Sequence, residues 1–397
     1  MKIRYLFFIF LIYSSCVRSR QPAVTDKFQS ELFTEDSFIY YPIKNNRIEV
    51  NLNNPQKASL FDYFNHIELI PLETNDDVLI GWLGKLIFHQ KRFYIFDATQ
   101  FVVQIFDETG KFVLKIGKRG NGPGEYIRPE NMIINPFTGN IDILEAFGKI
   151  YCYDLSGNHI KTFRVADQTV DSKLRAVHDL IALNEKTYVF LSRFHPFKII
   201  YYNIDEKKIL NQEYEESSFS ERFGSLNPFY EYHGKWYFYR PFDNNSYVID
   251  SDCLFKAYIW NFGKYNYDAN KMVFPKSMHE DLNQLVEVAK RFPYWMFIQG
   301  QNNKYVMAQI KLKNDEYGNL MYNKETQKCK YIEHFNESVE FQPYLITNEY
   351  VFSFCKHGEL EKYVNKEILD ETNLQKFEYL INSTEEQNPV IIRYHIK

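Results

Sequence analysis

From Lys85 onward the chain reads as short apolar runs punctuated by turn residues. Residues 86–88, 93–97, 101–107 and 112–116 predict four consecutive strands, rich in Phe, Tyr, Ile and Val. Asp107-Glu108-Thr109-Gly110 has the Asp-first, Gly-fourth preference of a type I turn and closes the last hairpin. The same phrase returns 47 residues later as Asp154-Leu155-Ser156-Gly157, with Ile150 to Tyr153 matching Val103 to Phe106 before it. Looser copies place Asn203 another 49 residues on and Asp250 another 47. Four strands per unit at a period near 47 predict the blades of a β-propeller.

Two later units are longer, and the excess has helical spacing. In residues 277–292 a capping-box phrase, Ser277-Met278-His279-Glu280, precedes Leu282, Leu285, Val286 and Ala289 on one face, and Pro293 stops the run. The unit ending at His395 carries Leu360, Val364 and Ile368, then Leu374, Phe377, Leu380 and Ile381. Six units result. The sixth ends at its third strand, so an N-terminal strand must complete it: residues 66–72 fit by spacing, with residues 47–52 expected to extend the same edge. The reading is all-β, one six-bladed propeller of four-stranded antiparallel blades over residues 46–397. It carries two helical insertions (about 267–292 and 357–388) on one face and an N-terminal strand closing the last blade.

The beginning of the chain follows a different rule. Lys2 and Arg4 precede an apolar run over residues 5–13, too short for a bilayer span and suited to the core of a signal peptide. Ser14-Ser15-Cys16 resembles a bacterial lipobox, which makes Cys16 the expected lipidation site and residues 1–16 the leader. Tyr13 stands where an aliphatic residue is usual. Residues 17–45 are mixed and polar, the expected tether.

A net charge of −4 without basic clusters speaks against a nucleic-acid surface. Besides Cys16 there are Cys152, Cys253, Cys329 and Cys355, widely spaced, which reads as free thiols more readily than as disulfides or a zinc site. The ten histidines are scattered; His178, His195 and His233 fall in blades three and four, where a packed histidine competes with an axial ligand. No metal or other cofactor and no catalytic group are expected.

The phrase from Ile116 to Tyr126, Ile70-Pro71-Leu72-Glu73-Thr74 and Asn388-Pro389-Val390-Ile391-Ile392-Arg393-Tyr394 resemble the six-bladed β-propeller lipoproteins of Bacteroidota, related in architecture to NHL-type propellers. The resemblance runs from about residue 45 to the end and implies fold and compartment, not activity. Strand parity puts the glycine-rich loop 117–126 and both insertions on one face of the disc. In that loop Lys118, Arg119, Glu125 and Tyr126 are candidate ligand contacts near the channel mouth. Against this stands a plain blade-to-blade turn whose charges lock its neighbours. A nucleotide loop does not fit, because no Gly-Lys-Ser/Thr follows and Pro123 removes an amide. The expected function is an exported, lipid-anchored binding or interaction module of the bacterial envelope, membrane-associated through its lipid alone. Its expected partner is a saccharide, a peptide or an envelope protein, contacted on a periplasmic or outer-membrane protein. The alternative is an NHL-like metal-dependent lyase or lactonase with its site at the axis.

Overall fold

The computed structural model describes residues 43–146, 148–165, 174, 177–192, 197–215, 227–241, 243–266, 280, 283, 287, 295–311, 317–383 and 387–397. The leader, Cys16 and nearly all of the tether lie outside these residues. Six antiparallel sheets follow one another as the blades of a propeller. Blade one is β3 (Leu83–His89), β4 (Arg92–Asp97), β5 (Val102–Asp107) and β6 (Phe112–Ile116). Blade two is β7 (Pro129–Ile134), β8 (Ile141–Glu145), β9 (Lys149–Tyr153) and β10 (His159–Arg164). Blade three is β11 (Val177–Ala182), β12 (Thr187–Ser192), β13 (Phe197–Asn203) and β14 (Lys208–Glu215). Blade four is β15 (Phe229–Tyr232), β16 (Lys235–Tyr239), β17 (Asn245–Ile249) and β18 (Leu254–Asn261). Blade five is β19 (Trp295–Gln301), β20 (Tyr305–Lys311), β21 (Tyr317–Asn323) and β22 (Lys328–Ile332). Blade six is β23 (Leu345–Ile346), β24 (Tyr350–Cys355) and β25 (Val390–Ile396), completed by β2 (Phe64–Pro71).

The strands are apolar on both faces because each blade is packed between two others. In β4, Phe93 and Ile95 join the cluster shared with blade six, while Tyr94 and Phe96 join the one shared with blade two. In β12, Tyr188 and Phe190 face blade two and Val189 and Leu191 face blade four. Period-two alternation therefore sorts side chains between neighbours rather than between core and solvent. The six large clusters occupy the six blade interfaces, and the last of them, between blades six and one, closes the ring.

Closure is antiparallel: His66 pairs with His395, Glu68 with Arg393 and Ile70 with Ile391. The expectation for residues 66–72 therefore holds. That for residues 47–52 does not: β1 (Arg47–Glu49) adds parallel to β18, opposite Ile259 to Asn261, as a fifth strand of blade four. The segment between β1 and β2 explains the difference. Gln56 N–H donates to Tyr331 O of blade five at 2.8 Å, and Ala58 bridges to Phe335, so this strap runs from blade four across the rim of blade five before entering the sixth. Its apolar residues are drawn into the interfaces it passes: Ile48 and Val50 between blades four and five, Ala58 and Leu60 between five and six.

Of the first insertion only Glu280, Asn283 and Glu287 are described, helical and exposed, on the side opposite the apolar stripe expected there. The second contains the helix Glu371–Asn382, started by Asp370, whose carboxylate accepts from Asn373 N–H at 2.8 Å. The helix lies along β2. Asn373 Oδ1 accepts from Leu69 N–H at 2.9 Å and Lys376 Nζ donates to Leu69 O at 2.8 Å, so side chains satisfy an edge that no strand covers.

Candidate functional site

In a four-stranded antiparallel blade the connections between blades and between second and third strands leave from the same face. On that face the ends of the second strands act as clamps. Asp97, fully buried at the end of β4, accepts from the N–H groups of Gly81 (2.8 Å), Trp82 (3.4 Å), Thr99 (2.8 Å) and Gln100 (3.0 Å). Glu145, 48 residues later at the end of β8, accepts from Ile127 N–H at 2.7 Å and Arg128 N–H at 3.4 Å. Each carboxylate thus fixes the backbone of the chain entering the inner strand of its own blade. The side chains held there point out: Trp82 is 65% and Ile127 44% exposed.

The glycine-rich loop is folded around two of its own side chains. Tyr126 is fully buried between blades one and two, its ring 5.5 Å from that of Tyr151, and burial pushes its phenol well above the usual range. A Cβ on Gly117 would stand 1.9 Å from the Tyr126 hydroxyl, and the residue has φ of +84°, so glycine is required on both counts. Glu125 accepts from Gly122 N–H at 3.0 Å and pairs with Lys118 at 3.2 Å, which together hold its carboxyl below the usual range. Gly120 N–H donates to Tyr126 O and Tyr126 N–H to Lys118 O. Arg119 is exposed, its guanidinium 5.8 Å from the centre of the Phe101 ring. Of the four sequence candidates, then, Lys118 and Glu125 are paired with each other, Tyr126 is core, and Arg119 leans on Phe101, in the turn whose Ala98 N–H donates to Trp82 O.

The axis is crossed by polar contacts. Lys85 of β3 meets Asp179 of β11 at 3.2 Å; the two strands are the inner strands of blades one and three, and the side chains are 12% and 2% exposed. Tyr344, at the entry to blade six, donates to Gly84 O in blade one at 3.2 Å and accepts on its own carbonyl from Asn227 at the entry to blade four. Burial, with Asp179 nearby, raises its phenol. These residues form a plug. None was singled out from sequence, although Lys85 and Asp179 are visible as charges within inner strands.

On the opposite face Lys324 is buried at the corner of blades four and five. Its ammonium donates to Gln301 Oε1 at 2.9 Å and sits 3.9 Å from the centre of the Tyr232 ring, and burial pushes it down to about 7. His233 lies in the adjacent β15–β16 turn, bonded to Asn303, rather than at the axis; His178 is in β11; His195 lies outside the described residues. Cys152, Cys253, Cys329 and Cys355 are free thiols. Among the described residues no three His, Cys, Asp or Glu side chains are grouped to hold a metal ion, and no helix is long and apolar enough to cross a membrane.

A family described as a domain of unknown function, DUF4934, matches residues 44–395. Among curated proteins nothing matches the chain. Among solved structures, a Bacteroides fragilis protein described as exported is similar over 88% of this chain and 99% of its own, at 16% identity and a TM-score of 0.67. A Bacteroides vulgatus member of the DUF4221 family is similar over 84% of this chain and 97% of its own, at 11% identity and a TM-score of 0.50. At such identities the likeness speaks for the fold.

Proposed function

The chain belongs to the DUF4934 family, and from that premise we propose that it is an exported, lipid-anchored interaction module of the bacterial envelope, without catalysis, whose partner docks on the face carrying Trp82. The observation that carries this reading is where apolar surface is left exposed. Among the described residues, the large exposed apolar side chains in the connections between and within blades are Trp82 and Ile127 on this face and Phe137 alone on the other, while Tyr379 and Ile381 stand on the helix along the outer edge of β2. An exposed tryptophan on a backbone pinned by a buried carboxylate forgoes about 2 kcal/mol of burial, which a partner restores. Arg119, with Lys118 and Glu125 beside it, supplies the polar rim, and Tyr126 supports the loop from below.

The export and anchor rest on the leader, on Cys16 and on the description of the Bacteroides fragilis neighbour as exported. A saccharide, a peptide or an envelope protein all suit an aromatic patch with a cationic rim. The rival, a metal-dependent lyase or lactonase, needs its donors at the axis, where Lys85 and Asp179 already satisfy each other. Photo-crosslinking in the producing bacterium tests the face: a photoreactive residue at position 82 should give a discrete adduct and one at position 137 none. Equal labelling at both positions, or a stoichiometric tightly bound metal ion in the purified protein, overturns the reading. Fatty-acid label should be lost in Cys16→Ala; retained label refutes the anchor.

A further inference from the structure

A cleft of about 590 Å³ opens on the rim between the strap and the outer hairpin of blade five, within the size range of small-molecule sites. Its strap wall holds Glu49, Asp62 and Tyr63, and its blade wall Tyr305, Lys328 and Lys330. The hairpin joins third to fourth strands, so the cleft lies away from the Trp82 face and its ligand is separate from the partner proposed above.

The two walls differ in how far their charges are already committed. Glu49 accepts from Arg47 at 2.6 Å and from the Asn261 amide. Asp62 accepts from Ser59 N–H at 3.2 Å as part of a capping box. The ammonium groups are freer: Lys330 Nζ is 4.0 Å from Asp62 and 5.8 Å from the centre of the Tyr63 ring, and Lys328 has no carboxylate partner among the described residues. Tyr63 and Tyr305 meet edge to face at 5.4 Å between the walls. The cleft thus offers two ammonium groups above an aromatic floor.

We propose that it binds a short acidic saccharide, with a sugar ring against the tyrosines, its carboxylate between Lys328 and Lys330, and hydroxyls to Gln56 and Thr326. An extended acidic peptide suits it less, because a peptide would pair with the free edge of β22, and there the strap is already bound through Gln56 N–H to Tyr331 O. A ligand spanning both walls also ties the strap to blade five.

Calorimetry on the full chain with digalacturonate, glucuronate and N-acetylneuraminate tests this, with digalactose and hexaglutamate as comparisons. At least one acidic sugar should bind roughly tenfold tighter than digalactose. The double variant Lys328→Ala, Lys330→Ala should lose that factor while keeping the wild-type unfolding temperature, and Trp82→Ala should bind as wild type. The proposal falls if none of the three acidic sugars binds, if digalactose binds equally well, if hexaglutamate binds tighter than all three, or if the lysine variant binds unchanged. A Trp82→Ala variant that loses sugar binding would instead place the sugar on the other face and overturn this site alone.

Discussion

Lys324 couples the ring's stability to pH. An unfolded lysine keeps its proton to about pH 10.4, whereas burial brings this one down to about 7. Between those values the unfolded chain binds the extra proton, so stability rises with pH, by at most about 1.4 kcal/mol per unit. The four thiols act in the opposite sense at higher pH. Burial raises all of them, so above about pH 8.5 the unfolded chain ionises first and stability falls. Urea unfolding between about pH 6.5 and 8.5 should show a rise that Lys324→Met abolishes; an unchanged slope in the variant would assign the titration elsewhere. Gly117 is a second sensitive point. Gly117→Ala forces a Cβ onto the Tyr126 hydroxyl at a positive φ, and should cost about 2–3 kcal/mol in the same measurement.

At the scale of elements, the hairpin closing each blade explains how much of the repeat could be read. Asp107 and Asp154 accept backbone N–H groups within their turns, and Gly110 and Gly157 take the positive φ three residues on. Asn203 and Asn323 do the same work, but the positive φ falls four residues on, at Lys207 and Gln327, so the copies look looser than they are. The sixth copy, His395, turns nothing and instead meets Glu68 at 3.2 Å, because β2 already holds the fourth-strand place beside it. The clamps Asp97 and Glu145 recur at a similar spacing and were open to the same reading. The placement of β1 was not, since three residues carry no register signal and their partner strand lies more than 200 positions away. The candidate loop was legible as a turn; that its tyrosine is buried depends on blades one and two meeting. The helix Glu371–Asn382 yields a prediction of its own kind. Asn373 is 3% exposed and serves Leu69 N–H, so Asn373→Ala should cost about 1–3 kcal/mol, while the solvent-facing Glu378→Ala should stay within about 0.5 kcal/mol. Equal effects would mean the helix does not guard the edge.

For the whole molecule, the ring is held by strands from opposite ends of the chain. Ending the chain at residue 389 removes β25, leaving β2 with no strand partner and β24 with only the two-residue β23, so cooperative unfolding should vanish and soluble oligomers appear in size-exclusion chromatography. Starting it at residue 50 removes, with the leader and tether, β1 alone of the described strands and should leave a cooperative monomer with a modestly lower Tm. The same closure sets a schedule. Glu68 and Arg393 are 325 residues apart, so at about 5–20 residues per second the ribosome delivers the second roughly 16–65 s after the first. For that interval β2 exists with no strand to join. The helix that will serve Leu69 is made only just before β25, so the edge and its guard arrive 304 residues apart, and a nascent chain is most in need of protection until β25 has been made.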